Sequence, residues 1–329
     1  MPPALTARAH ASPNIALVKY WGNRDDELRL PSNGSLSMTL GGLHTVAQVA
    51  FDPEATEDTL VIAGQAAAPA ARERVSHHLD LVRTLAGHNL RALVDSSSNF
   101  PAGAGIASSA SAFAAITLAA THACALELDA TALSRLARRG SGSACRSIFG
   151  GFVEWQAGDG DATSYAEPLA PPEHWSLVDV IAVVSQAPKP TGSTEGHGLA
   201  ASSPLQAARV ADTPRRLSAC RQAILQRDFA ALADVVELDS LMMHAVMMTS
   251  SPPLLYWQPS TLIVLHAVAG WRRHGAGVCA TVDAGPNVHC LCAPGEASSI
   301  RDNLQDLPGV DLVFVCPPGE AARVEPGAR

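Results

Sequence analysis

Phe100-Pro101-Ala102-Gly103-Ala104-Gly105-Ile106-Ala107-Ser108-Ser109 is a run of mostly small residues that opens directly onto the Ala-rich stretch Ala110 to Leu128. The first turn of a helix carries unpaired backbone N–H groups and the positive end of the macrodipole. Such a turn holds phosphate oxygens without a cationic side chain. Gly103 and Gly105 let the backbone approach an anion closely. Read alone, the same residues also describe a Gly-rich turn capped by Ser108 or Ser109. The lysine of G-x-x-x-x-G-K-[ST] is absent, which disfavours a Walker-type NTPase.

Working outward, 329 residues exceed one small core and fit two domains of ordinary size. Hydrophobic residues make up 47% and charged residues 16%, the composition of a well-buried globular protein. A net charge of −8 supplies no basic footprint, so nucleic acid and anionic membrane surfaces are poor partners. Any anionic substrate must be held by local positive charge. The seven cysteines include no C-x-x-C pair and read as reduced core residues of a cytoplasmic protein. The histidines lack metal-ligand spacing with cysteine. Met1-Pro2-Pro3 does not open a secretory signal, so none is expected. Ser111, Thr117, Thr121 and His122 interrupt the apolar run and make it a buried helix rather than a membrane span.

Thr45 to Phe51 alternates as a half-buried strand. Leu79, Val82 and Ala86 fall at helical spacing before the C-cap candidate Gly87. A helix over about 132–139 ends at Gly140, and a small-residue turn, Ser141 to Arg146, precedes the strand-like Gly151 to Trp155. Composition shifts to Gly, Asp, Ala and Pro around 159–172, which suggests domains at 1–175 and 176–329. The second half reads strand (178–184), helices (about 204–248), helix (262–274), strands (278–283 and 288–291), helix (about 297–305) and strand (310–315). That order predicts a ferredoxin-like α+β sandwich.

Four segments now stand together: Ala11-Ser12-Pro13-Asn14-Ile15-Ala16-Leu17-Val18-Lys19-Tyr20-Trp21-Gly22-Asn23-Arg24-Asp25, continuing to Leu30-Pro31-Ser32-Asn33-Gly34-Ser35; the Pro101 to Ser109 loop; Gly140 to Ser147 with Gly150-Gly151-Phe152; and Asp283-Ala284-Gly285-Pro286-Asn287. In order and spacing they closely resemble the diphosphomevalonate decarboxylase family of the GHMP kinase superfamily. The resemblance implies a two-domain α+β GHMP kinase fold, with an N-terminal GHMP α/β domain, a C-terminal ferredoxin-like domain and the active site between them. It also implies a cytoplasmic homodimer.

The reaction it implies is ATP- and Mg²⁺-dependent decarboxylation of 5-diphosphomevalonate to isopentenyl diphosphate, ADP, phosphate and CO2. Phosphoryl transfer of this kind is mostly positioning and charge neutralisation. By the resemblance, Asp283 accepts or orients the C3 hydroxyl proton, Lys19 is the cation at the transferred group, and Arg146 grips the substrate carboxylate side with help from Asn14. Tyr20, Asn23, Ser141 and Ser143 bind the phosphorylated end. ATP lies against Pro101, Gly103, Gly105, Ala107, Ser108 and Ser109, with Ser98 and Asn99 alongside, and Ser109 turns toward the metal. Taken singly, Asp283 also reads as a turn residue, Lys19 as a solvated lysine, Tyr20 as a core aromatic, and Ser141 or Ser143 as a helix cap.

The chain departs from the family where a Lys-Arg pair is usual and Asn23-Arg24 stands. The family lysine contacts the terminal phosphate of the substrate. Gly192-Ser193-Thr194-Glu195-Gly196-His197 also replaces a Ser-Ser-x-x-Gly-Met segment and brings in an acidic residue. Two substrates therefore stay open, 5-diphosphomevalonate and 5-phosphomevalonate, the second giving isopentenyl phosphate. A mevalonate 3-kinase and a non-catalytic ATP-binding protein are the remaining alternatives.

Overall fold

The computed structural model describes residues 5–101, 108–187, 189 and 191–326. Gly103, Gly105 and Ala107, three of the expected nucleotide-loop residues, lie outside them. The helices are α1 (Pro69–Ala86), α2 (Ser108–Ala123), α3 (Ala130–Gly140), α4 (Ser193–Leu199), α5 (Gln206–Gln226), α6 (Phe229–Met248), α7 (Pro259–Arg273) and α8 (Ala297–Gln305).

Six strands form the first sheet, in the order Arg323–Val324, Leu5–Ala11, Thr45–Asp52, Arg91–Ser98, Thr59–Ile62, Gln65–Ala66. Alternation puts Ala7, Ala9 and Ala11 on the same buried face as Ala47, Val49 and Phe51. These small side chains let the alanine-rich α2 pack against the sheet. α1 is the crossover between the parallel strands Thr59–Ile62 and Arg91–Ser98, and it ends at Gly87 in the left-handed region.

The second sheet runs Tyr165–Ala170, Phe152–Gln156, Ser35–Thr39, Asn14–Val18, and the third runs Val278–Thr281, Val288–Cys292, Val178–Val183, Leu312–Cys316. With the four strands of the third sheet numbered along the chain, their order is 2-3-1-4 with all neighbours antiparallel, the ferredoxin-like arrangement. α7 and α8 supply Val264, Val268, Ile300 and Leu304 to one face of it. On the other face, Ile181, Val183 and Leu291 share one core with Cys220 and Ile224 of α5, Leu232 and Val236 of α6, and Ile15, Leu17 and Leu36 of the second sheet. α5 and α6 are therefore a layer between two sheets, and every residue of Val178–Val183 is buried.

The structure corrects several sequence expectations. The small-residue turn over 141–146 is one 3-10 helix, Gly142–Ile148, and Gly140 belongs to α3, whose C-cap is Ser141. The strand expected over 278–283 leaves the sheet after Thr281, because Val282 and Asp283 turn under α6. α4, with the 3-10 turn Ala200–Ser202, fills a stretch to which the sequence pattern assigns no element. Among the described residues no helix is long and apolar enough to cross a membrane.

Candidate active site

The strand Asn14–Val18 delivers Lys19 to the floor of a cavity that is also lined by Tyr20, Ser109, Ser141, Ser143, Arg146 and Asp283. The main chain of Lys19 is held on both sides. Its N–H donates to Asp239 Oδ2 at 2.6 Å, and its carbonyl accepts from Asn33 Nδ2 at 2.9 Å and Arg209 Nη2 at 2.7 Å. Asp239 and Arg216 pair at 2.7 Å with no exposure on either side chain. Two guanidinium groups and one carboxylate thus fix the backbone from which the Lys19 side chain projects.

α6 also fixes the opposite partner. Val282 N–H donates to Ser240 Oγ at 3.0 Å, and His244 Nε2 donates to the Asp283 carbonyl at 2.9 Å. Burial, with further lowering by Lys19, holds His244 down at about 4, so its ring is neutral at physiological pH. The result is a contact of 2.6 Å between Lys19 Nζ and Asp283 Oδ1, with Lys19 at 1% exposure and a quarter of the Asp283 side chain open. Burial alone would raise the Asp283 pKa. The charges of Lys19, His289 and Arg146, with the Lys19 hydrogen bond, outweigh it and hold the carboxyl below its ordinary range.

Arg146 comes from the 3-10 helix and is buried. Its Nε and Nη2 donate to Asn14 Oδ1 at 3.2 and 3.0 Å, and its Nη1 donates to Ser35 Oγ at 2.6 Å. A guanidinium has five N–H groups, so two remain for the cavity. Asn14 stands behind Arg146, donates to Ser147 Oγ at 2.8 Å, and does not itself line the cavity. Tyr20 stacks on His197 at 4.1 Å between ring centroids and meets Trp155 edge-on at 4.7 Å. Burial pushes its phenol well above the usual value, so it is a neutral donor and acceptor. A Cβ on Gly142 would stand 2.6 Å from the Tyr20 ring, which explains why a glycine begins the 3-10 helix.

Ser109 Oγ lies 3.2 Å from Ser141 Oγ, which brings the first turn of α2 to the C-terminal end of α3. Other expected residues lie away from the cavity lining. Asn23 accepts from the Tyr20 hydroxyl and donates to Asp26 Oδ1 at 2.7 Å. Ser98 Oγ contacts Thr45 Oγ1 at 2.8 Å, and Asn99 Oδ1 accepts the His44 N–H at 2.8 Å. Pro101 and Ser108 are not among the lining residues, and Glu195 is exposed on α4.

The sequence reading missed Arg29, Lys189 and His197, all of which line the cavity. It also missed Asp239. Nothing in the pattern around Arg29 or Lys189 distinguishes them from solvated cations. Asp239 had a legible signal, a carboxylate on the stripe Leu232, Val235, Val236, Met243, Val246 that α6 buries. Cys145 stands under the site as a plain core thiol, its pKa pushed up by burial to about 12.

Comparison with known proteins agrees with this geometry. The family model described as diphosphomevalonate decarboxylase-like N-terminal domain matches residues 11–166, and that of the mevalonate 5-diphosphate decarboxylase C-terminal domain matches residues 179–308. The chain is 38% identical over 300 residues to the diphosphomevalonate decarboxylase of Candida albicans, covering 86% of this chain and 83% of that one. It is 35% identical over 303 residues to the phosphomevalonate decarboxylase of Haloferax volcanii, covering 92% of each. Among solved structures it superposes on one described as MDDEF in complex with MVAPP, AMPPCP and magnesium with a TM-score of 0.92, at 35% identity and covering 97% of this chain and 98% of that one.

Proposed function

This chain belongs to the diphosphomevalonate decarboxylase family, and from that premise we propose that it converts 5-diphosphomevalonate, with ATP and Mg²⁺, to isopentenyl diphosphate, ADP, phosphate and CO2. The observation that carries this reading is the Lys19–Asp283 contact of 2.6 Å in a cavity that also holds Arg146, Ser109 and Ser141.

The donor set suits a nucleotide and its metal. The first turn of α2 reaches the cavity through Ser109, and among the described residues no three His, Cys, Asp or Glu side chains form a metal cluster. Mg²⁺ keeps waters and phosphate oxygens and needs few protein ligands, so Ser109 fits as its one hydroxyl ligand. The relative bound to AMPPCP and magnesium supports the same choice. When bound, ATP supplies the phosphoryl group that makes the C3 hydroxyl a leaving group, and Mg²⁺ neutralises charge on the phosphates.

Asp283, ionised, accepts the hydrogen bond of the C3 hydroxyl and aligns its oxygen. A carboxylate held below its usual pKa is a weak base, so the proton passes to Asp283 as phosphoryl transfer proceeds rather than before it. Lys19 holds Asp283 in place and puts an ammonium beside the transferred group. The two remaining N–H groups of Arg146 orient the substrate carboxylate. Asn14 and Ser35 share its charge-assisted hydrogen bonding, which moderates its hold on a group that must leave as CO2.

The reading divides the chain at 175/176, supported by family matches that end at 166 and resume at 179. It also carries a cytoplasmic homodimer, which light scattering and fractionation would check. A second reading, 5-phosphomevalonate as substrate, draws on the Haloferax volcanii relative and on an Asn23 side chain occupied by Tyr20 and Asp26.

The test is parallel measurement of ADP and CO2 with each substrate. The proposal expects a 1:1 ratio, dependence on a divalent cation, and preference for the diphosphate. A stable 3-phosphorylated product without CO2 would move the assignment to a 3-kinase, and release of neither product would leave a non-catalytic nucleotide-binding protein.

A further inference from the structure

Arg29 ends the turn that joins the two short strands Asn23–Asp25 and Leu30–Pro31, and its φ of +48° is uncommon for a residue with a side chain. Its Nε donates to the Arg139 carbonyl at 3.0 Å. Nearby, Arg74 on α1 donates from Nε and Nη2 to the Gly140 carbonyl at 3.2 and 2.9 Å, and its guanidinium stacks over Phe113 at 4.6 Å. The negative end of α3 thus gathers both guanidinium groups, and Arg139 itself adds a third. Arg29 lines the active cavity together with Tyr20, Ser141 and Ser143, and it also lines an adjoining groove with Arg74 and Arg139. That groove contains neither Lys19 nor Asp283, so Arg29 marks the end of the cavity away from the reacting pair.

Among the described residues, no carboxylate lies within ion-pair distance of Arg29, Arg74 or Arg139. By contrast Arg83, Arg135, Arg138, Arg216, Arg221 and Arg272 each have one. Glu27 and Glu73 line the groove without pairing to the three arginines, and Asp26 is engaged by Asn23. The Arg74 pKa is pushed down to about 10, first by burial and then by the Arg29 charge, and His78 is held neutral beside them at about 3. Three cations therefore converge with no ion-paired carboxylate among the described residues, in a chain of net charge −8.

We propose that Arg29, backed by Arg74 and Arg139, receives the terminal phosphate of the substrate and so selects a 5-diphosphate over a 5-monophosphate. The inference rests on the cavity being a phosphorylated-mevalonate site, as proposed above. Tyr20, Ser141 and Ser143 supply polar contacts that suffice for one phosphate, whereas the second adds charge that the arginine end of the cavity meets. The side chain at position 23 is turned to Tyr20 and Asp26. Its asparagine therefore does not by itself decide the substrate, because a cation reaches the cavity from the other end of the same hairpin.

The test is the ratio of kcat/KM for 5-diphosphomevalonate to that for 5-phosphomevalonate in wild type, Arg29→Gln and Arg29→Lys, with calorimetric affinities for both compounds. Wild type should prefer the diphosphate. Arg29→Gln should lower that preference by about 10- to 100-fold, equivalent to about 1.4–2.7 kcal/mol, and act almost wholly on the diphosphate. Arg29→Lys, which keeps the charge, should keep most of the preference. Thermal midpoints should match wild type, since the residue stands at a partly exposed turn. An equal loss on both substrates, an unchanged ratio, or a wild-type preference for the monophosphate would overturn the proposal. A wild type that releases CO2 from neither compound would instead overturn the functional reading on which it rests.

Discussion

Lys19 and Asp283 lie 264 positions apart in the chain and 2.6 Å apart in the fold. Their pairing makes one substitution informative. Asp283→Asn keeps the side-chain shape and an oxygen for Lys19 but removes the carboxylate that takes the hydroxyl proton in the proposed reaction. Turnover should fall about 100-fold or more, with nucleotide affinity within about 3-fold of wild type. Steady-state CO2 release with a parallel fluorescent-nucleotide titration checks both, and wild-type turnover in the variant would remove Asp283 from the reaction. At this scale the motif residues were legible through the family resemblance, in which an ammonium, a fork-shaped cation and a carboxylate stand in a set order. Arg29 and Lys189 were not, since an isolated cation acquires a role only from what the fold sets opposite it.

At the scale of elements, α6 is the part that makes the site rigid. Asp239 takes the Lys19 N–H, Ser240 takes the Val282 N–H, and His244 donates to the Asp283 carbonyl, so one helix positions both halves of the Lys19–Asp283 pair. Asp239→Asn leaves Arg209 buried without a counter-charge and Arg216 with only the partly exposed Asp212. Removing one member of a buried ion pair costs about 3–5 kcal/mol. The urea midpoint should drop accordingly, and kcat should fall even where the variant remains folded, because Lys19 loses its anchor. A midpoint equal to wild type would mean that this network does not hold the strand. Helices and most strands of the second half were readable from period and punctuation. The turn of Val282 and Asp283 out of the sheet was not, because residues on α6, more than 30 positions away, cause it.

At the scale of the whole molecule, burial of histidine sets the response to acid. His78 and His244 are buried, with pKa values pushed down to about 3 and about 4, first by burial. Between those values and about 6.5 the unfolded chain binds protons that the folded chain does not. The contribution of these two groups is therefore full only well above pH 6.5 and is lost as pH falls, by about 1.4 kcal/mol for each of the two at pH 5.5. Urea titrations at pH 7.0 and 5.5 check this, and equal or greater stability at pH 5.5 would contradict it. The sequence by itself carried the family resemblance, the ferredoxin-like order of the second half and, through that resemblance, Lys19, Arg146 and Asp283 as candidate site residues. The order rests on local period and punctuation, and the candidates rest on motifs whose order and spacing match the family. Only the tertiary structure decided that α5 and α6 form a layer shared by two sheets, that the C-terminal strand Arg323–Val324 pairs with Leu5–Ala11, and that Arg29 joins the cavity to a groove lined by Arg74 and Arg139. The physical reason is that hydrophobic burial and charge compensation depend on which surfaces come together. Pairings between residues distant in the chain leave no period in the sequence between them.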